Sequence, residues 1–124
     1  MLEIDKTLPN GLSLVVTIVN RGYGEKIAAL FNQKGVTLNY IFLGRGTATS
    51  EILDYLGLGE TEKDIVLSSV PVEQTQRALD MLNNEMDLQK KGHGIAFTLP
   101  IGSVGGANAL KFMAGLLGNE GSAQ

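Results

Sequence analysis

The feature that most constrains this chain is the long connection Leu43–Lys63, which lies between two strand-like apolar runs, Val36–Leu43 and Ile65–Val70. A hairpin joins neighbouring strands in about two to five residues, and structureless loops beyond about 12–15 residues are uncommon in a compact domain. The connection carries glycine at positions 44, 46, 57 and 59. Long, partly ordered loops often carry function. We therefore expect the rest of the chain to be a frame that holds this loop.

The middle of this connection is apolar enough to fold. A threonine or serine at positions 49–50 can cap a short helix over Thr49–Leu56, and Gly57 can end it. The side chains at positions 52, 53 and 56 are large and apolar, and full burial stabilises each by about 1.5–3 kcal/mol. We expect this turn to pack against protein, with Gly44–Thr47 and Gly59–Glu62 as hinges.

Length and composition predict one folded domain, residues 1–124. The hydrophobic content of 44% is ordinary for a globular protein. A net charge of −3 argues against a nucleic-acid-binding protein, which usually has a clustered basic face. The absence of cysteine excludes disulfides and thiolate chemistry. The sequence shows neither a signal peptide nor an apolar run long enough to span a membrane, so we expect a cytoplasmic protein.

Hydrophobic periodicity predicts the order β-α-β-β-α-β. Period-two alternation indicates strands, and apolar residues at i, i+3 and i+4 indicate one-faced helices. The predicted strands are Leu12–Val19, Val36–Leu43, Asp64–Val70 and Ile95–Ile101, and the predicted helices are Glu25–Lys34 and Glu73–Met86. This order is that of an α+β, ferredoxin-like domain, with both helices on one face of a four-stranded antiparallel sheet. Residues 12–101 form its core, and residues 102–124 are an extension with a short helix over Ala107–Leu117.

The face of this sheet that the helices leave uncovered is predicted to be too apolar for water. We assign to it the residues Val15, Thr17, Val19, Ile41, Leu43, Val66, Val70 and Ala96. Two covers are open: self-association, for which a homotrimer is one solution, or the C-terminal helix folding back.

The common enzyme motifs are missing, so we predict a protein that is not an enzyme and has no catalytic residue. There is no P-loop, and the G-x-G pairs at positions 22–24 and 44–46 lack the third glycine of a dinucleotide site. His93 is the only histidine and no cysteine accompanies it, which leaves no metal site and no histidine-based nucleophile pair. The acidic residues Glu60, Glu62 and Asp64 are predicted to form a solvated face.

Two loops combine glycine with positive charge, a combination that suits a phosphate or a carboxylate because backbone N–H groups can approach the anion closely. The candidate ligand-binding residues are Gly44, Arg45, Gly46, Thr47, Lys63, Lys90, Lys91, Gly92, His93 and Gly94. The two loops would meet across a subunit boundary. The alternatives are a simple tight turn with solvated lysines at 90–94 and a hinge with an exposed arginine at 44–47.

The element order, the long loop and the run Gly92-His93-Gly94-Ile95-Ala96-Phe97 together resemble a known family, the PII signal-transduction proteins. These are trimeric, ferredoxin-like regulators of nitrogen metabolism. The resemblance covers residues 12–101 as architecture. It implies that residues 44–63 are the T-loop, which touches a partner protein, and that residues 90–94 are the B-loop, which helps to bind ATP or ADP between subunits. The stretch 44–63 also resembles a divergent PII-like subgroup.

The chain departs from the PII pattern at the nucleotide site. Ile95 stands where the family has a lysine, His93 replaces an aspartate, and residues 102–110 lack the phosphate-binding arginines. An adenine nucleotide is therefore one candidate effector among other anions. The sequence predicts a PII-like regulator whose effector orders the 44–63 loop for a partner protein. The alternatives are an oligomeric metabolite-binding protein or enzyme that uses Arg45 and His93 in a shared cleft, or a structural trimer.

Overall fold

The computed structural model describes residues 11–46 and 62–106. In chain order, the elements are β1 (Leu12–Asn20), α1 (Gly24–Gln33), β2 (Asn39–Arg45), β3 (Glu62–Pro71), a 3-10 turn (Val72–Gln74), α2 (Thr75–Met86) and β4 (Ile95–Ile101). The strands form one antiparallel sheet in the order β2-β3-β1-β4. The predicted ferredoxin-like α+β fold is thereby confirmed. The short helices predicted over 49–56 and 107–117 lie outside the described residues.

Both helices cover the same face of the sheet. Side chains from α1 and α2 pack on valines of the two central strands, and together they form the core: Val15, Val19, Ile27, Phe31, Val36, Val66, Val70, Ala78, Leu82 and Met86. The predicted stripes of the two helices supply this face. We call the opposite side of the sheet the open face.

The prediction of which strand residues lie on the open face is wrong. Val15, Val19, Val66, Val70 and Ala96 pack with the helices. The strand register places Thr17, Ile41 and Leu43 on that same side, because paired residues of antiparallel strands share a face. The open face instead carries the alternate, larger side chains, which include Leu14, Val16, Ile18, Tyr40, Phe42, Leu67, Phe97 and Leu99. Small β-branched residues on the sheet let the helices approach it closely. Phe31 of α1 and Leu82 of α2 fill the space between the helices and the sheet.

The second strand begins at Asn39 rather than at Val36. The turn after α1 explains the shift, because Gly35 has φ +85° and the backbone N–H of Val36 donates to the carbonyl of Phe31 at 3.0 Å. This is the bonding pattern of a glycine-terminated helix. Val36 is therefore held in the core at the end of α1 and does not belong to the strand.

β2 and β3 also extend further into the long connection than the sequence predicted. Gly44 pairs with Lys63, and Arg45 pairs with Glu62. The prediction that Gly44 and Arg45 belong to a hinge is therefore wrong, and Lys63 is a strand residue. A Cβ at position 44 would lie 2.6 Å from Cδ1 of Ile65, so a larger residue there would require the end of that side chain to move. The connection proper is residues 46–61.

Candidate functional site

Arg21, directly after β1, ties together the strand ends from which the 46–61 connection leaves. Its Nε and Nη2 donate to the backbone carbonyl of Lys63 at 3.3 and 3.2 Å, and Nη2 also donates to the carbonyl of Gly44 at 3.0 Å. Nη1 lies 3.8 Å from a carboxylate oxygen of the exposed Glu62. One side chain thus holds both ends of the connection.

Asp64 is buried, and its carboxylate anchors the beginning of α1. Its Oδ2 accepts hydrogen bonds from the backbone N–H groups of Gly22, at 2.9 Å, and Gly24, at 3.0 Å. A negative charge is favourable at the positive end of a helix. Oδ1 lies 3.2 Å from Nε of Arg21, an ionic contact without a hydrogen bond because that N–H is aimed at the carbonyl of Lys63. The prediction that Asp64 belongs to a solvated acidic face is wrong, since only 5% of the residue is exposed.

Gly24 is required by this arrangement. A Cβ at position 24 would lie 2.9 Å from Oδ2 of Asp64 and 3.1 Å from Cγ2 of Ile41. The first residue of α1 can therefore approach the carboxylate only as glycine. The Gly22-Tyr23-Gly24 run, which lacks the third glycine of a dinucleotide site, has a structural role in this protein.

Lys63 and Asn20 connect the strand ends to the loop before β4. The Lys63 ammonium donates to Oδ1 of Asn20 at 2.6 Å, and Nδ2 of Asn20 donates to the carbonyl of Gly92 at 3.1 Å. Lys63 is almost entirely buried, at 3% exposed. We call the side chains of Arg21, Lys63 and Asn20, with the carbonyls of Gly44 and Gly92, the sheet-end belt. It runs across the end of the sheet from β2 to the loop 87–94.

The loop 87–94 is a compact turn that closes on the end of α2. The backbone N–H of Lys90 donates to the carbonyl of Asp87 at 3.1 Å, and that of His93 donates to the carbonyl of Lys90 at 3.2 Å. Nδ1 of His93 lies 3.1 Å from the carbonyl of Met86. Because a carbonyl only accepts, Nδ1 carries a proton, and in the neutral ring Nε2 is left as an acceptor.

A cleft of about 330 Å³ lies between this loop and the start of α1. It is lined by Asn20, Tyr23, Lys26, Glu85, Met86, Asp87, Gly92 and His93. Two of its lining residues, Asn20 and Gly92, also belong to the sheet-end belt. A ligand in the cleft would therefore contact the same groups that hold the base of the 46–61 connection.

The described part of the chain has neither a cluster of metal ligands nor a membrane-spanning helix. Across residues 11–46 and 62–106, no three side chains of His, Cys, Asp or Glu come together as a metal site. No helix within these two ranges is long and apolar enough to cross a membrane.

Comparison with known proteins gives matches among solved structures. No protein-family model matches the sequence, and no curated protein sequence matches it. The PII protein of Arabidopsis thaliana, bound to citrate, has a TM-score of 0.60 and 16% identity over 82% of this chain and 86% of that one. CPII from Thiomonas intermedia K12, bound to ADP and bicarbonate, has a TM-score of 0.54 and 20% identity over 73% and 85%. This chain has the PII-like fold.

The PII-like fold is shared with a protein of a different description. The divalent ion tolerance protein CutA1 from Ehrlichia chaffeensis has a TM-score of 0.59 and 12% identity, over 77% of this chain and 86% of that one. The resemblance to the PII family drawn from the sequence is thus confirmed at the level of the fold. Identities of this size carry no site residue or ligand from one protein to another.

In the PII-like fold of this chain, the predicted site residues lie at one end of the sheet. Gly44 and Lys63 are brought together by strand pairing, and Lys63 reaches Gly92 through Asn20. Arg45 lies exposed on the edge strand β2. Lys90, Lys91 and His93 are exposed at the opposite edge, and Gly94 is buried before β4. Gly46, directly after β2, is the only described residue of the 46–61 connection, and Thr47 lies outside the described residues.

Sequence reasoning missed Asn20, Arg21 and the role of Asp64. A signal was present, since the polar pair Asn20-Arg21 follows a strand that is apolar on both faces. Polar residues directly after a buried strand can reach the neighbouring strand ends, and this pattern would have indicated the belt.

Proposed function

We propose that this protein is a PII-like regulator that binds a small anionic effector beside the sheet-end belt and signals to a partner protein through the segment 44–63. The belt is the observation that carries the proposal. It links the loop 87–94, where a ligand has access, to both ends of the 46–61 connection. A change at one side of the belt is thereby coupled to the other side.

The chemistry of Lys63 favours an anion as the effector. Its ammonium is bonded to a neutral amide oxygen of Asn20. An anionic oxygen in the same place would add Coulomb attraction between opposite charges to a hydrogen bond that the ammonium already makes charge-assisted. Lys91 adds exposed positive charge beside Gly92, whose φ is +89°, whereas Lys90 is paired with Asp87 at 3.6 Å. The ligands named for the matching PII and CPII structures, citrate, ADP and bicarbonate, are all anions.

Self-association through the open face is part of the proposal. Tyr40, Phe42, Phe97 and Leu99 lie on that face and are 40 to 57% exposed. The edge strand β2 also exposes Ile41 and Leu43 on its other side. Such side chains gain about 1.5–3 kcal/mol each on full burial. We propose a homotrimer in which a neighbouring subunit completes each cleft beside the sheet-end belt.

The assembly is tested by placing a charge on the open face. Phe42→Lys is expected to convert the oligomer to monomer, because an ammonium buried in an apolar interface has no partner. The control is Val72→Lys, which changes a valine 38% exposed in the 3-10 turn. Native mass spectrometry gives the subunit number of each variant and any retained ligand. A wild-type monomer, or an unchanged oligomer in Phe42→Lys, would contradict the proposed interface.

The signalling function is tested with a panel of ADP, ATP, bicarbonate, citrate and 2-oxo acids. At least one anion is expected to bind by titration calorimetry and to slow hydrogen exchange in residues 44–63. Lys63→Met should weaken that binding by at least about tenfold, equivalent to about 1.4 kcal/mol, whereas Lys34→Met, at an exposed position outside the cleft, should change it little. Asn20→Ala should abolish the exchange response, because it breaks the link from Lys63 to Gly92. The proposal fails if no anion in the panel binds, or if bound anion leaves exchange in 44–63 unchanged.

A further inference from the structure

A groove lies between α1 and α2, on the side of the sheet away from the open face. Its volume is about 640 Å³, within the range of about 300–1,000 Å³ that is typical of ligand sites. Phe31, Val36, Val70 and Ala78 form an apolar floor, and the partly exposed Leu30 and Met81 line the walls. An oligomer formed through the open face would leave this groove accessible.

The groove has opposite charge at its two ends. The two helices are antiparallel, because they follow β1 and β3, which are themselves antiparallel. Consistent with this, Nζ of Lys26, near the start of α1, lies 3.5 Å from the carbonyl oxygen of Glu85, at the end of α2. Lys34, at the end of α1, therefore lies at the same end as Arg77, in the first turn of α2. Both are exposed groove residues, and neither forms an ion pair within the described ranges. Glu85 lies at the other end.

Both ends of the groove also carry hydrogen-bonding groups. Gln33, Gln74 and Asn84 line the groove, and a side-chain amide both donates and accepts. An extended peptide needs such partners because its backbone N–H and C=O groups are otherwise unsatisfied when it leaves water. A fatty acid offers one carboxylate for Lys34 and Arg77 but no positive group for Glu85 at the other end of the groove. The lining therefore favours a peptide over a fatty acid.

We propose that this groove is a docking site for an extended segment of a partner protein with the pattern acidic–x–apolar–x–basic. Arg77 and Glu85 are separated by about 12 Å along α2, at about 1.5 Å per residue. In an extended chain, residues i and i+4 point the same way and are about 13 Å apart. The acidic residue reaches Lys34 and Arg77, the basic residue reaches Glu85, and the apolar residue between them contacts Leu30 and Met81. The groove shares Glu85 with the cleft beside the sheet-end belt, so the peptide test uses protein free of effector.

The probe is the peptide acetyl-Glu-Ser-Leu-Ser-Lys-amide, and the matched control peptide is acetyl-Gln-Ser-Leu-Ser-Gln-amide. In amide NMR spectra of the full chain, the first peptide should cause saturable shifts confined to the groove, at 30–36, 74–78 and 81–85. Its dissociation constant should be on the order of 0.1–1 mM, and the neutral peptide should bind at least about tenfold more weakly. Sodium octanoate is expected to leave these signals unchanged.

Charge reversal of the protein provides the second arm. Arg77→Glu should bind the first peptide at least about tenfold more weakly, because the new carboxylate would lie at the same end as Lys34 and offset its charge, whereas Arg45→Glu, on the edge strand β2, should behave as the wild type. Both arginines are exposed, and the amide spectra report whether each variant is folded. The proposal is overturned if the shifts lie elsewhere, if both peptides bind equally, if octanoate alone binds in the groove, or if Arg77→Glu binds the first peptide as tightly as the wild type.

Discussion

Gly94→Ala is expected to destabilise the domain by about 2–6 kcal/mol. Gly94 has φ +120°, where a residue with a side chain is strained by about 1–3 kcal/mol. A Cβ there would also lie 2.4 Å from the carbonyl oxygen of Ile18 and 2.9 Å from Cγ1 of Val19. Relieving such a contact by moving a central strand costs about another 1–3 kcal/mol. Urea unfolding followed by circular dichroism measures the loss.

Gly35→Ala is the matched control for this prediction. Gly35 also has a positive φ, +85°, but nothing lies within 4 Å of a Cβ at that position. Its substitution should cost only the backbone strain, and the reduced entropy of the unfolded chain affects both variants alike. Both must be compared at one protein concentration, because association shifts apparent stability. Equal losses in the two variants would show that the contact with Ile18 contributes nothing.

Asp64→Ala is expected to cost about 3 kcal/mol of unfolding free energy. The substitution leaves the N–H groups of Gly22 and Gly24 without their charged acceptor, and a hydrogen bond to a charged group contributes about 1.5–3 kcal/mol. It also removes the ionic contact to Arg21. The loss should appear in urea unfolding and as faster hydrogen exchange in the first turn of α1.

Glu62→Ala separates this effect from general loss of negative charge. Glu62 is also an acidic partner of Arg21, but its side chain is 69% exposed and the contact is 3.8 Å long. Exposed pairs of this kind contribute about 0–1 kcal/mol. A loss in Glu62→Ala as large as that in Asp64→Ala would contradict the anchoring role assigned to the buried carboxylate.

The helices and the strands β1 and β4 could be predicted because their signals are local. Ile27 and Phe31 repeat at helical spacing, and Ile95–Ile101 alternates as a strand, so both elements were found with nearly their final bounds. The face of the sheet that the helices cover could not be predicted in the same way. Val15 and Val16 are both apolar, and alternation alone does not say which of the two meets a helix.

Only part of the candidate site could be predicted from the sequence. Glycine and lysine patterns indicated Lys63 and Gly92, and the structure joins them through Asn20, which no pattern had indicated. Asp64 was predicted to be solvated because it follows Glu60 and Glu62 at alternate positions. Its partners Gly22 and Gly24 lie 42 and 40 positions away along the chain, so its burial could not be read from the surrounding residues.

Hydrophobic period, glycine stops and chain connectivity act over short distances, and they were sufficient to define the elements, their order and hence the ferredoxin-like sheet. The packed fold was needed to show which side of the sheet the helices cover and how far β2 and β3 run into the long connection. It was also needed to show that Arg21, Lys63 and Asn20 form one belt. The reason is that these outcomes depend on strand register and on the fit of Phe31 and Leu82 over the sheet. Contacts between residues distant along the chain decide both of these.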